Sequence, residues 1–326
     1  MPMKRRTFLR RFGAASAAVS WVPSVSAGEP AATPAADASA KSTEVRLEWL
    51  RPRQIEAAMK QCPVLFQPLG TIEWHGYQNV VGLDAVKAHA LCIQAAQRGG
   101  GLVAPPLFGG VGGLNEPHTF VMEPEDDVFS NLLRPWVERL CREAVRQGFR
   151  AVIILTGHYG AAQQIVVREL AARLTRILAV PVLGTPEYWL ALDAGYLGDH
   201  AAWGETSLML HLQPASVDLG QLGEAPHKGV HGRDPKTTAT AADGRRLAET
   251  IIGRLAALAS QMPQWDAATR ERFLHAESAL VARQLLLAGR EKSTWAAWRN
   301  LAPMAPYGQL LVERKFEEIA GIAEKL

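Results

Sequence analysis

"RAVIILTGHYG", residues 150–160, decides how this chain is to be read. Ala151 to Leu155 run apolar without interruption, rich in β-branched residues and closed by Thr156 and Gly157. A run this short suits a strand buried on both faces, the kind found in parallel sheets. Gly157 permits a tight turn, and His158 follows directly. Working outward, "PVLFQPLG" (63–70) and "VPVLGTP" (180–186) have the same continuous character, and "GLVAPPLF" (101–108) runs into a Gly-rich loop. Helical patterns separate these runs: "DAVKAHALCIQAAQRG" (84–99), the acid-led "EPEDDVFSNLLRPWVERLCREAVRQGF" (123–149), "AAQQIVVRELAARLTRIL" (161–178), "GETSLMLHL" (204–212) and a long helix over 240–262. Alternating strands and helices predict an α/β fold, a mostly parallel central sheet covered by helices on both faces. Such sheets gather their sites at the carboxyl ends of the strands.

Composition narrows the classes. At 326 residues, 48% hydrophobic and 21% charged, the chain reads as a soluble globular protein with one large domain. The net charge of +3 is local in origin: Lys4, Arg5, Arg6, Arg10 and Arg11 precede any acid. Without those five, 30 basic residues face 32 acids, a balance that offers nothing to nucleic acid or an anionic membrane. The basic start, an Ala-rich middle and Val25-Ser26-Ala27 form an export signal over 1–27; Arg5-Arg6 before Thr7-Phe8-Leu9 resembles a twin-arginine address. Its apolar part is too short for a membrane anchor. The expected destination is the periplasm or the exterior, reached through the export machinery, with cleavage near Ala27. Residues 28–43, rich in Ala, Pro and Ser, read as a flexible linker. The catalytic domain is expected over 44–264, and the helical, Trp-containing 265–326 as an extension packed on it or on a neighbouring subunit. Cys62 at a strand start, and Cys92 and Cys141 in helices, read as buried thiols.

The polar residues fall where strands end. Glu73 and His75 lie just past the first strand and face one side if the chain stays extended; Asp84 follows nine residues after His75. Alone, these three equally suit a salt bridge and a helix cap. His158 follows the strand read at 150–157, and "DHAAWGETS" (199–207), after the one at 180–186, adds His200 and Glu205. Imidazole and carboxylate without thiolate favour zinc, manganese or iron(II). Five such ligands from separate strand ends suit two divalent ions sharing one carboxylate, which lower the pKa of a shared water toward ~7 and polarise a carbonyl. That is hydrolytic machinery. No "GxxxxGKS" phosphate cradle and no "GxSxG" elbow occurs. Trp203 and Tyr159 flank the proposed site as stacking surfaces for substrate, although core packing suits them equally. His118 in its Gly-rich loop is a candidate substrate contact, and His227 and His231 candidate pocket walls.

"LGTIEWHGYQNVVGLD", "TGHYG", "HAAWGETS" and "GVHGRDPKTTATAADGRRL" resemble, in order and spacing, the creatininase family over about residues 62–260. The resemblance implies a three-layer α/β/α sandwich, two metal ions and hydrolysis of a carbon–nitrogen bond in a small cyclic or linear amide; homo-oligomers, hexamers among them, are also implied. By the same resemblance Glu73 and His158 hold one ion, His75 and Glu205 the other, Asp84 bridges, and His200 shuttles the proton to the leaving nitrogen, with Glu205 counted beside it in catalysis. The sequence departs from the family at Tyr77 and Gln78, where His-Gly-Pro-His is common, at Gly160, where the creatinine-hydrolysing branch has a ligand Glu, and at Ala161. The metal-type residues are kept while the substrate contacts have changed. The alternative is a periplasmic metal-containing binding protein or pseudoenzyme of the same fold.

Overall fold

The computed structural model describes residues 44–114, 116–120 and 129–326. The export signal, the linker and the acidic start of the helix read at 123–149 lie outside the described residues. Each apolar run quoted above becomes a strand: β1 (Val64–Gly70), the short β2 (Leu102–Val103) and β3 (Leu107–Phe108), β4 (Ala151–Thr156) and β5 (Val182–Pro186). They pair in the order β2-β1-β4-β5, with β3 continuing beside the end of β1, and every pairing is parallel. Val64 lies opposite Ala151 and Val152 opposite Val182, so the carboxyl ends of β1, β4 and β5 form one rim.

The continuous apolar character has a direct cause. Strand residues alternate between two cores. Val64, Phe66, Ile153, Leu155 and Leu183 face one core, covered by α2 (Leu83–Gly99) and a long helix at Ala241–Gln261. Leu65, Leu69, Val152, Ile154 and Val182 face the other, covered by α3 (Arg134–Arg146) and α4 (Ala161–Leu178). With α1 at Pro52–Gln61, the remaining helices in chain order are α5 (Trp203–Leu212), α6 (Pro235–Thr238), α7 (the 241–261 helix), α8 (Ala267–Glu291), α9 (Tyr307–Val312) and α10 (Phe316–Lys325). This is the three-layer α/β/α sandwich. All three cysteines are buried free thiols, Cys62 at the end of α1 and two residues ahead of β1.

The C-terminal extension is not a separate body, since the described chain through Leu326 forms a single compact unit. Phe273, Leu280, Tyr307, Leu311 and Phe316 belong to the α2/α7 core. A buried Arg168 on α4 pairs with Glu277 on α8 at 2.7 Å and lies 4.0 Å above the Trp189 ring, while the Tyr307 hydroxyl donates to Glu277 at 3.0 Å.

Candidate active site

The segment after β1 reverses at residues 76–78. It folds back so that the Glu73 N–H donates to Val81 O, and His75 Nδ1–H donates to Glu73 O at 2.9 Å. Glu73 and His75 thus precede the reversal, two residues apart, and both enter the same buried cluster. The backbone contact assigns the tautomer and leaves the His75 Nε2 lone pair pointing inward. There it meets Asp84 Oδ1 at 3.1 Å and Glu205 Oε2 at 3.5 Å, and it has no hydrogen-bond partner.

Asp84 is the second residue of α2, whose N-cap is Gly82, so its carboxylate is not a cap. It spans the site: Oδ1 faces His75 and Oδ2 lies 3.1 Å from His158 Nδ1. His158, directly past β4, is held like His75: its Nε2–H donates to Gly112 O at 2.8 Å, and Nδ1 faces Glu73 Oε2 at 3.0 Å. Glu73 Oε1 accepts the Leu114 N–H at 2.6 Å. What Gly157 provides is room, not only a turn: a Cβ there would sit 2.1 Å from Asp84 O.

Glu205 enters on the first turn of α5. Asp199 accepts the first-turn amides of Gly204 and Glu205 at 2.6 and 3.0 Å, and so caps the helix from outside it. The chain between bends at Ala201, which is fully buried with φ +54°, a conformation that costs a non-glycine residue on the order of 1–3 kcal/mol. Gln78 Nε2 and the Thr206 hydroxyl both donate to Ala201 O, and the Ala201 N–H donates to Glu205 Oε2 at 2.8 Å. Gln78, one of the departures from the family pattern, thus anchors the strained bend.

Three groups of donor atoms result, each within 4.8 Å of one another: Glu73/Asp84/His158, His75/Asp84/Glu205 and Glu73/His75/His200. All five expected metal-type residues are therefore brought together, with Glu73, His75 and Asp84 each common to two groups. Burial opposes protonation of His75, but the carboxylates of Asp84 and Glu205 more than offset it and hold its pKa up at about 9. His158 is likewise driven well up, against burial, by Asp84 and Glu73. The proton that such a pKa demands in the metal-free chain occupies the place that a cation takes when bound. An unpartnered, inward-facing imidazole nitrogen amid carboxylate oxygens fits zinc, manganese or iron(II), and no thiolate is at hand to favour a softer ion.

Three residues that sequence reasoning missed complete the site. Lys87 is fully buried on α2, one turn after Asp84; its ammonium contacts Glu205 Oε1, Glu187 Oε1 at 2.8 Å and the Tyr159 hydroxyl at 2.8 Å. Those three acceptors match an ammonium's three donors. Burial alone would lower its pKa, yet Glu187 and Glu205 drive it upward. Glu187 directly follows β5, so the strand-end rule already pointed to it, and the i,i+3 spacing of Asp84 and Lys87 put both on one helix face. The third is the capping Asp199, whose pKa burial and then the Glu205 charge push up to about 6.

A cavity of about 410 Å³ opens onto the cluster, lined by Glu73, His158, Tyr159, Asp199, His200 and His231 among others. His200 donates from Nε2 to Trp74 O at 2.7 Å, stacks on His75 with centroids 4.3 Å apart, and brings Nδ1 to 4.0 Å from Glu73 Oε2. Burial and then the charge on His75 lower its pKa. Tyr159 presents its ring to the cavity while its hydroxyl turns inward to Lys87, Glu187 and Tyr196. Trp203 does not reach the cavity: it is buried under the Arg233 guanidinium, 3.6 Å away, and its indole N–H donates to Asp243. An apolar ring at the start of α5 packs inward with its helix, the core-packing alternative of the two that its sequence allowed. His118 is exposed at φ +61°, 6.3 Å from the Trp74 ring and outside the cavity lining. His227 pairs with Asp234 at 3.0 Å, and His231 bridges backbone to backbone with His200.

Residues 48–259 match the creatininase family, whose description is creatinine amidohydrolase. The creatinine amidohydrolase of Pseudomonas putida is 31% identical over 189 residues, which cover 50% of this chain and 69% of that protein. Two creatininase structures share the fold: a manganese form (24% identity, TM-score 0.56) and a variant in its Zn–Zn form (25%, TM-score 0.55). Each is matched over 68% of this chain and 99% of its own. Fold, cluster and kinship together define a metal-dependent hydrolase of carbon–nitrogen bonds other than peptide bonds. The chain belongs to the creatininase family.

Proposed function

We propose that this protein hydrolyses the C–N bond of a small cyclic or linear amide at a centre of two divalent ions, zinc or manganese. Glu73 and His158 hold one ion, His75 and Glu205 the other, and Asp84 serves both. The observation that carries this reading is Asp84, whose two oxygens each face a different imidazole nitrogen at 3.1 Å. Ions held there supply a polarised substrate carbonyl and a water acidified toward ~7. The chain's own residues supply the proton path. His200, neutral at pH 7 because burial lowers its pKa, has its Nε2–H committed to Trp74 O, so Nδ1 is the atom free to accept a proton. Water oxygen adds to the carbonyl carbon, its proton passes to His200 Nδ1, and the C–N bond breaks as that proton moves to the leaving nitrogen. Tyr159 and His231 wall the substrate. Gly160 and Ala161 replace residues of the creatinine-hydrolysing branch, and that favours an amide other than creatinine.

The test is metal analysis followed by an amide screen with zinc and manganese added back. Two ions per chain are expected, and His200→Ala should retain them while turnover falls by about 10²–10⁴-fold, the usual worth of general acid–base catalysis. Less than about one ion per chain after loading sinks the scheme. We also read residues 1–27 as a twin-arginine signal that delivers a folded, metal-loaded homo-oligomer to the periplasm; sequencing of the mature N-terminus should begin near Gly28.

A further inference from the structure

Beside the catalytic cavity lies a second one, of about 300 Å³, between the central domain and the C-terminal segment. Tyr159 and Gly198 line both cavities. The remaining wall is largely apolar: Tyr188 and Leu197 from the segment after β5, and Trp298 and Leu301 from the stretch between α8 and α9. Residues beyond 259 lie outside the family match, and Trp298 and Leu301 are among them. They are not loosely hung. Trp298 meets the Trp189 ring edge-on at 5.6 Å, and Trp189 lies under the buried Arg168 that pairs with Glu277. Tyr188 packs edge-on against Tyr159 at 4.9 Å, and its hydroxyl donates to Gln164.

The chemistry of this wall selects its occupant. Gln164 spends its amide N–H on Tyr159 O and its carbonyl on Tyr188, and Arg299 is already paired with Glu291. Of the wall's polar groups, Gln164 and Arg299 are engaged internally and the Trp298 indole N–H is left without a partner, while ring faces and an exposed Leu197 remain. Surrounding rings favour a flat apolar group in stacked or edge-on contact. A cavity of this size and lining falls in the range of small-molecule sites.

We propose that the C-terminal segment completes an aryl subsite: Trp298 and Leu301, with Tyr159, Tyr188 and Leu197, hold a flat apolar ring on the amide whose scissile bond lies at the metal-type cluster. This rests on the amidohydrolase reading and gives it a substrate class, amides larger than creatinine that carry an aromatic substituent. The shared wall makes the connection: a ring seated against Tyr159 and Gly198 lies next to His158 and His200.

The test compares hydantoin with 5-phenylhydantoin on the zinc-loaded full chain, by calorimetric binding and, separately, by turnover. The wild type should bind the phenyl compound about tenfold tighter or more, the worth of ~1.4 kcal/mol. Trp298→Ala and Leu197→Ser should abolish that preference and leave hydantoin affinity within about twofold of its original value. Leu197 is exposed, so its substitution decides the matter should Trp298→Ala unfold. Equal affinities in the wild type, no detectable binding of either compound, or a preference that survives both substitutions would overturn the subsite. So would a change of mass in light scattering with the preference intact, which makes this face a subunit contact. Hydrolysis without ring preference sinks the subsite alone; ring preference without hydrolysis leaves the subsite and sinks the hydrolase reading.

Discussion

His75 carries opposite demands in its two states. Without metal its pKa stands at about 9 against an ordinary 6.5, because Asp84 and Glu205 outweigh burial. A folded-state pKa above the unfolded one contributes stability that is complete below about 6.5 and lost as pH rises through about 9. The EDTA-treated protein is therefore expected to lose melting temperature between pH 6.5 and 9. The loaded protein, whose His75 must be neutral to ligate, should show no such fall; parallel scanning fluorimetry of the two forms checks this, and identical profiles would refute it. Lys87 is the second residue on which the site turns. Lys87→Met leaves Glu187 and Glu205 facing each other without their ammonium, and removing one partner of a buried ion pair costs about 3–5 kcal/mol. Urea unfolding should show that loss, and metal titration a weakened second ion. Lys87→Met/Glu187→Gln should recover much of both, because it removes the unpaired charge along with its partner.

At the scale of elements, the site depends on how closely β4 approaches the start of α2. Gly157→Ala places a Cβ 2.1 Å from Asp84 O, and neither piece of backbone has a flexible end with which to yield. The expected result is a folded protein with fewer than two ions per chain by elemental analysis, since Asp84 is displaced from both imidazoles. Full metal content in that variant would mean that the helix start can shift without loss. The α4–α8 contact works by the same logic. Arg168→Met strands the Glu277 carboxylate in a buried place and should cost about 3–5 kcal/mol in urea unfolding, with the metal content unchanged.

For the whole molecule, the extension completes the α2/α7 core instead of decorating it. A chain ending at Gln264 would expose Trp189 and leave Arg168 without Glu277, so it should be recovered insoluble or bind a hydrophobic dye strongly. A soluble, cooperatively melting, two-ion truncation would show that the core closes without α8–α10. Loading with metal should raise stability by about 2.7 kcal/mol for each ion bound when the free ion stands at a hundred times its dissociation constant.

The sequence alone determined the parallel sheet and the rim that bears the site. Strands buried on both faces leave continuous apolar runs, and the carboxyl ends of parallel strands fall on one edge, so Glu73, His75, Asp84, His158, His200 and Glu205 could be gathered by that rule. It could not say which His75 nitrogen faces the cluster, because a hydrogen bond to the Glu73 carbonyl, not residue spacing, sets that orientation. Lys87 carried no mark in the sequence, and Trp203 suited core packing as well as a stacking surface. Only tertiary structure, by choosing which helix face meets which strand end, buried the first against two carboxylates and the second under Arg233. The same holds for Trp298: local pattern marks it as apolar, and only long-range packing sets it beside the catalytic cavity.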